Sequence, residues 1–212
     1  YRKQRNLDFK SNVWEAYLAL ELFPTMMFRR DKTYEPKLRP YALLGIGIFH
    51  FNPKGSLTDA AGNKTWHELH PLRLEGQGMS EYPDSKPYKL TQINIPMGAG
   101  LKYYASERIH LSTELLYRKT FTDYIDDVSK NYIDPNDFSK YLSAGDAANA
   151  YKLSDKVQPI IFPGMTRFPA GNQRGDSKDG DTYLSLVLKL GIRLGSIYQN
   201  SAMKQTRCPV VY

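Results

Sequence analysis

An all-β, antiparallel barrel that crosses a membrane is the fold this sequence predicts. Five long segments alternate apolar and polar residues with period two, and the links between them alternate between short and long. Transmembrane strands have this signature: about 9–11 residues span the bilayer, with short turns on one side and long loops on the other. Average hydropathy does not separate this fold from a globular one. The mean over 212 residues is −0.53, and no continuous apolar run is long enough for a spanning helix, which needs about 20 residues. Barrel strands average out as polar, so a barrel remains. The 16 Tyr and 9 Phe fit both β-structure and the aromatic girdles of membrane barrels.

The first segment, Val13 to Pro24, places Trp14, Ala16, Leu18, Leu20 and Leu22 on one face and Glu15, Tyr17, Ala19, Glu21 and Phe23 on the other. Leu7 to Lys10 is expected to extend it. The second, Arg39 to Asn52, sets Ala42, Leu44, Ile46 and Ile48 against Tyr41, Leu43, Gly45, Gly47 and Phe49. Its glycines share one side, as a crowded interior requires. The third, Leu90 to Tyr104, carries Ile93, Ile95, Met97, Ala99, Leu101 and Tyr103 on its apolar face. Pro96 argues for an edge or a bulge there. In the fourth, Arg108 to Asp123, residues Ile109, Leu111, Thr113, Leu115 and Tyr117 alternate with His110, Ser112, Glu114, Leu116 and Arg118. The fifth, Asp181 to Gly195, aligns Leu184, Leu186, Leu188, Leu190, Ile192 and Leu194 opposite Ser185, Val187, Lys189, Gly191 and Arg193. In a membrane barrel this greasy face meets lipid and the cations pair in the lumen.

The links run Thr25 to Leu38, Pro53 to Lys89, a tight turn at Ala105 to Glu107, and Tyr124 to Gly180. The two long ones are assigned outside. Pro135 to Lys152 is expected to hold one or two short helices, capped by Asn136 or Asp137. Five strands cannot close a barrel, and an eight-stranded one needs three more before Tyr1. Residues 1–195 are thus read as barrel and 196–212 as a periplasmic tail. An eight-stranded interior is filled by side chains. Here Glu15, Lys102, Glu114, Arg118, Lys189 and Arg193, with Tyr17 and Gln92 beside them, form the expected lumen network, with Glu114 and Arg118 pairing on one face.

The net charge of +7 is scattered rather than striped, so no nucleic-acid partner is expected. A single cysteine, Cys208, excludes an intrachain disulfide framework. No Gly-x-Ser-x-Gly elbow occurs, and His110 with Ser112 is the only candidate catalytic pair; no enzyme is expected. His67 and His70 stand three apart, with His50 the further candidate ligand, but Pro71 disfavours a helix that would align them. The acidic run Asp123, Asp126, Asp127, Asp134 and Asp137 lacks EF-hand spacing. Asp126, Asp127 and Asp134 are therefore weak metal candidates. Pairing of Asp126 and Asp127 with Arg118, Arg167 or Arg174 is the preferred reading. No cofactor or small-molecule substrate is expected.

Three runs resemble a known family: RPYALLGIGIFHFNP at 39–53, LEGQGMSEYP at 74–83, and TFTDYIDDVS at 120–129, followed by Tyr132, Ile133 and Asp134. Together they are similar to the PorG family of Bacteroidetes outer-membrane barrels, associated with type IX secretion and gliding machinery. The resemblance covers about residues 5 to 195 and implies an eight-stranded barrel in the bacterial outer membrane. Its implied role is to anchor the periplasmic ring of the secretion system, built by a lipoprotein and its partner. Contacts would then fall on the periplasmic links, the 105–107 turn and the tail, where Arg29, Arg30, Lys32, Lys204, Arg207 and Cys208 are candidates. The alternative is a soluble or periplasmic lipocalin-like cup with the apolar face turned inward.

Overall fold

The structure, a computed structural model, describes residues 6–28, 36–59, 61–157 and 166–194. It is mostly β, in two antiparallel sheets. The larger sheet has five strands: β2 (Trp14–Leu22), β3 (Leu38–His50), β6 (Thr91–Tyr104), β7 (Ile109–Thr120) and β8 (Thr182–Ile192), in the order β2-β3-β6-β7-β8. These are the five alternating segments, each within a few residues of its expected ends. The sheet does not close on itself. β6 is the middle strand despite Pro96, contrary to the edge position its ring suggests. Proline removes one ladder donor, a local loss that a strand of 14 residues can absorb.

The smaller sheet lies outside sequence expectation. β1 (Lys10–Ser11), β4 (Pro53–Thr58) and β5 (Lys64–Glu68) pair in the order β1-β4-β5. Lys10 faces Lys54 and Ser11 faces Pro53, so this segment joins the smaller sheet instead of extending β2. β4 and β5 form a hairpin from Lys54↔Glu68 to Thr58↔Lys64, where the sequence suggests only a long loop. A short helix, α1 (Pro24–Met27), follows β2 with proline in its first turn.

Contacts divide the described residues into two compact units: those within 6–19, 45–96 and 118–183, and those within 20–44, 97–117 and 184–194. The first unit owns the hydrophobic core, built by Leu69, Leu72, Leu74, Met79, Ile133, Phe138, Ala150 and Leu153. Two helices serve it, α2 (Phe138–Tyr141) and α3 (Ala144–Ser154), where helices were expected. Their caps differ from expectation. Ser143 caps α3 by accepting from the Asp146 N–H, and Asp134 caps the preceding 3-10 turn by accepting from the Asn136 N–H. Asn136 and Asp137 supply no side-chain cap; Ser143 is as good an N-cap type and sits at the start of the alanine-rich run. Residues 69–85 form successive tight turns. Gly76 adopts φ 73°, and a Cβ there would meet the Tyr82 ring at 2.5 Å, so only glycine fits.

Candidate functional site

Alternation determines what each strand of the large sheet exposes. Every outward position of β8 is bare: Leu184, Leu186, Leu188, Leu190 and Ile192 are 60–79% exposed. Trp14, Leu18 and Leu20 on β2, Ile46 on β3, Ile93 on β6 and Leu111 and Leu115 on β7 are likewise exposed. The opposite face is polar and buried, with Asn94 at 0%, Glu114 at 1% and Arg118 at 6% exposure. A soluble protein has the reverse arrangement.

On the polar face of the first unit, Arg118 Nη2 lies 2.9 Å from Glu15 Oε2, both side chains nearly buried. Asn94 donates to Glu15 Oε1 at 2.7 Å and to the Tyr183 hydroxyl at 3.0 Å. β2 and β7 are three strand spacings apart, about 14 Å across a flat sheet. Side chains that meet over that interval require strong curling toward the polar side. The second unit repeats the pattern. Glu114 accepts from Lys189 at 2.6 Å and from the Tyr41 hydroxyl at 2.5 Å, and Lys102 pairs with Glu21 at 2.6 Å. A Cβ added at Gly100 would meet the Tyr41 ring at 2.6 Å, the crowding that small residues on this face imply.

Of the expected network, Glu15, Lys102, Glu114, Arg118 and Lys189 stand in these pairs. Two points are corrected. Glu114 and Arg118 find their ion-pair partners on other strands, because four residues of extended chain span about 13 Å. Arg193 lies one residue beyond β8, exposed, its backbone N–H donating to Arg108 O at 2.7 Å. The additions are Glu21, Tyr41, Asn94 and Tyr183, all at polar-face positions and legible by parity.

The first unit contains a second polar centre within its long loops. Arg174, 1% exposed, places Nη1 2.9 Å from Glu75 Oε1 and donates to Asp127 O at 2.5 Å. Glu75 also accepts from the Ser129 and Lys130 N–H groups at 2.9 and 3.0 Å. Tyr88 donates to Asp127 Oδ1 at 2.7 Å, and its ring stacks on Tyr124 at 4.5 Å. Asp127 holds φ 60°, a left-handed conformation that costs energy and persists only when surroundings enforce it. The expected Asp127–Arg174 association is present through the Asp127 backbone carbonyl, while the carboxylate salt-bridged to Arg174 is Glu75. Arg118 serves Glu15, and Arg167 donates to Tyr151 O at 2.7 Å and Ser154 Oγ at 2.8 Å.

Burial, with the charges of Asp181, Asp126 and Glu75, pushes Asp123 up to about 7. Burial and Asp181 push Asp126 to about 6. Asp127 rises to about 7 through burial, reinforced by Glu75 and Asp126 and opposed by Arg174 and Tyr88. These values lie above the ordinary 3.8, so the folded loops hold protons the unfolded chain has released. Stability is therefore expected to fall as pH rises from about 4 to about 7, at up to about 1.4 kcal/mol per pH unit for a group as buried as Asp127. Proteolysis of the 124–180 segment should speed up across that window. Asp127→Asn should flatten the profile; an unchanged profile would show that this cluster does not set it.

Among the described residues, no group of three or more His, Cys, Asp or Glu is placed to hold a metal. Asp134 is used in capping, and Asp137 pairs with Lys140 at 2.7 Å. The histidines stand apart. His50 contacts Thr91, His67 contacts Thr65, and His70 lies 3.0 Å from Tyr88 O. His110 packs on the Tyr104 ring at 5.4 Å, and Ser112 is buried. Arg29, Arg30, Lys32, Lys204, Arg207, Cys208 and the tail 196–212 lie outside the described residues. No family model, curated protein or solved structure matches the chain.

Proposed function

We propose that the chain supplies five strands of an eight-stranded outer-membrane β-barrel of the PorG type, a non-enzymatic anchor for the periplasmic ring of a type IX secretion system. One observation carries the membrane part: the five-stranded sheet leaves its apolar face bare and buries an ion-paired polar face. Lipid is the solvent that suits this disposition. A lipocalin-like cup would turn the Leu184 to Leu194 side inward, and no observation favours it. The secretion role rests on the three sequence runs quoted above. Two of them, 74–83 and 120–134, contribute Glu75, Gly76, Asp127 and Ser129 to the Arg174 centre and its flanking turns.

The full-length protein is expected to stay in the membrane pellet through an alkaline wash, to require detergent for extraction, and to show heat-modifiable mobility. A mild-detergent pull-down from the native membrane should then recover ring components in stoichiometric amount. Release by the wash would reject the membrane reading. A heat-modifiable barrel recovered alone would reject only the anchor role.

A further inference from the structure

We infer that the polar-face mouth at the Ser106 turn docks an acidic peptide segment of a periplasmic partner; this deepens the anchor reading and rests on it. Four strand ends meet here: β3 begins at Leu38, β6 ends at Tyr104, β7 begins at Ile109 and β8 ends at Ile192. Tyr104 N–H donates to Lys37 O at 2.8 Å, and Arg193 N–H to Arg108 O at 2.7 Å. These ladders bring Lys37, Arg39, Arg108 and Arg193 to one end of the second unit. Among the described residues the acids nearby are Glu107, in the turn itself, and Glu21, held by Lys102 at 2.6 Å. Among the described residues neither Arg108 nor Arg193 is in an ion pair, and both are exposed. The described residues of the mouth thus carry a net positive charge.

The face decides the kind of partner. Arg39 has the parity of buried Tyr41, Arg108 that of His110, and Arg193 that of Gly191 and Lys189, so all three occupy polar-face positions. Arg39 lies over the Tyr104 ring at 4.2 Å, and that ring meets His110 at 5.4 Å. Lipid headgroups would collect where the apolar face ends; these cations crown the opposite face. Guanidinium forks take carboxylates in pairs of parallel hydrogen bonds. An acidic strand or tail of a partner fits this mouth, and its rim charges would set the rate and salt dependence of capture.

The test uses the purified full-length protein in detergent with a labelled oligoglutamate peptide, read by anisotropy, and oligolysine as control. Oligoglutamate should bind, weaken as salt rises, and lose roughly ten-fold in affinity in the combined variant Arg39→Gln, Arg108→Gln, Arg193→Gln, which removes two exposed cations and the half-buried Arg39, surface charges of modest strength each. Arg108→Lys should retain binding, as should Lys152→Gln with Lys178→Gln, which alter exposed cations of the other unit. Heat-modifiable mobility of each variant reports that it is folded. Unchanged oligoglutamate binding by the folded triple variant would overturn the inference alone. Absence of any heat-modifiable form in the parent protein would overturn the membrane reading and the inference together. In nanodiscs of phosphatidylglycerol and phosphatidylcholine, loss of phosphatidylglycerol enrichment in the triple variant with oligoglutamate binding intact would assign the cations to lipid and overturn the inference.

Discussion

Arginine in place of Leu188 is expected to stop the full-length protein from folding into a bilayer. Leu188 is central in β8 and 79% exposed. A lipid-facing Arg at the middle of a barrel costs about 2–4 kcal/mol, a thirty-fold to thousand-fold loss in folded population at about 1.4 kcal/mol per decade. The measurement is the heat-modifiable fraction across a denaturant titration in phospholipid vesicles. Lys189→Arg, one residue along on the polar face, keeps the charge that Glu114 requires and should change little. The direction of the effect discriminates sharply. In a soluble protein an exposed Leu→Arg change stays within about 0.5 kcal/mol and raises solubility. Normal folding of Leu188→Arg without lipid would therefore reject the membrane reading outright.

Arg174→Met is the second large effect. Glu75, whose side chain is 0% exposed, would keep its charge and lose its counter-ion. Breaking a buried pair from one side costs about 3–5 kcal/mol, a large share of the roughly 5–15 kcal/mol that holds a domain together. Limited proteolysis should show the 124–180 segment cut far faster. Combining Arg174→Met with Glu75→Gln should recover much of the loss. The amide oxygen keeps one of the two bonds from the Ser129 and Lys130 N–H groups, which meet different oxygens of Glu75, and no buried charge remains unpaired. A double variant as weak as the single would place the cost in the bonds from Arg174 to Asp127 O and Ser154 O rather than in the ion pair.

The five strands of the larger sheet were legible because period-two patterning is a local property that burial enforces residue by residue. Leu184 to Ile192 needs no partner to declare its face. The smaller sheet had no such signature. PKGSLT and KTWHE carry little apolar alternation and become strands through pairing with each other and with Lys10–Ser11. The buried polar-face residues could be nominated from parity, whereas their partners could not, since Glu15 and Arg118 are brought together by curvature. Arg174 was nominated as a partner for Asp126 or Asp127, but its salt bridge to Glu75 was hidden for a different reason. It sits in GNQRGD, a stretch that reads as a solvated turn, and its main partner Glu75 is 99 residues away. Cysteine or metal chemistry would have flagged such a distant link; a charge pair leaves no spacing to read.

In an outer-membrane barrel, the core of the first unit would also govern the order of events during biogenesis. Leu69, Leu72, Leu74 and Met79 precede the β6–β7 hairpin, while Ile133, Phe138, Ala150 and Leu153 follow it. Neither half buries its apolar surface alone. Contacts of such sequence separation form slowly, because the chain between them must be ordered first. In an inserting barrel the two halves would emerge on the far side separately, so the hairpin between them acts as a checkpoint. Until it is paired, the loops remain an open substrate for proteases and chaperones. Burial of Arg174 against Glu75 then marks completion, and the time at which protease resistance appears in the 124–180 segment becomes a clock for assembly.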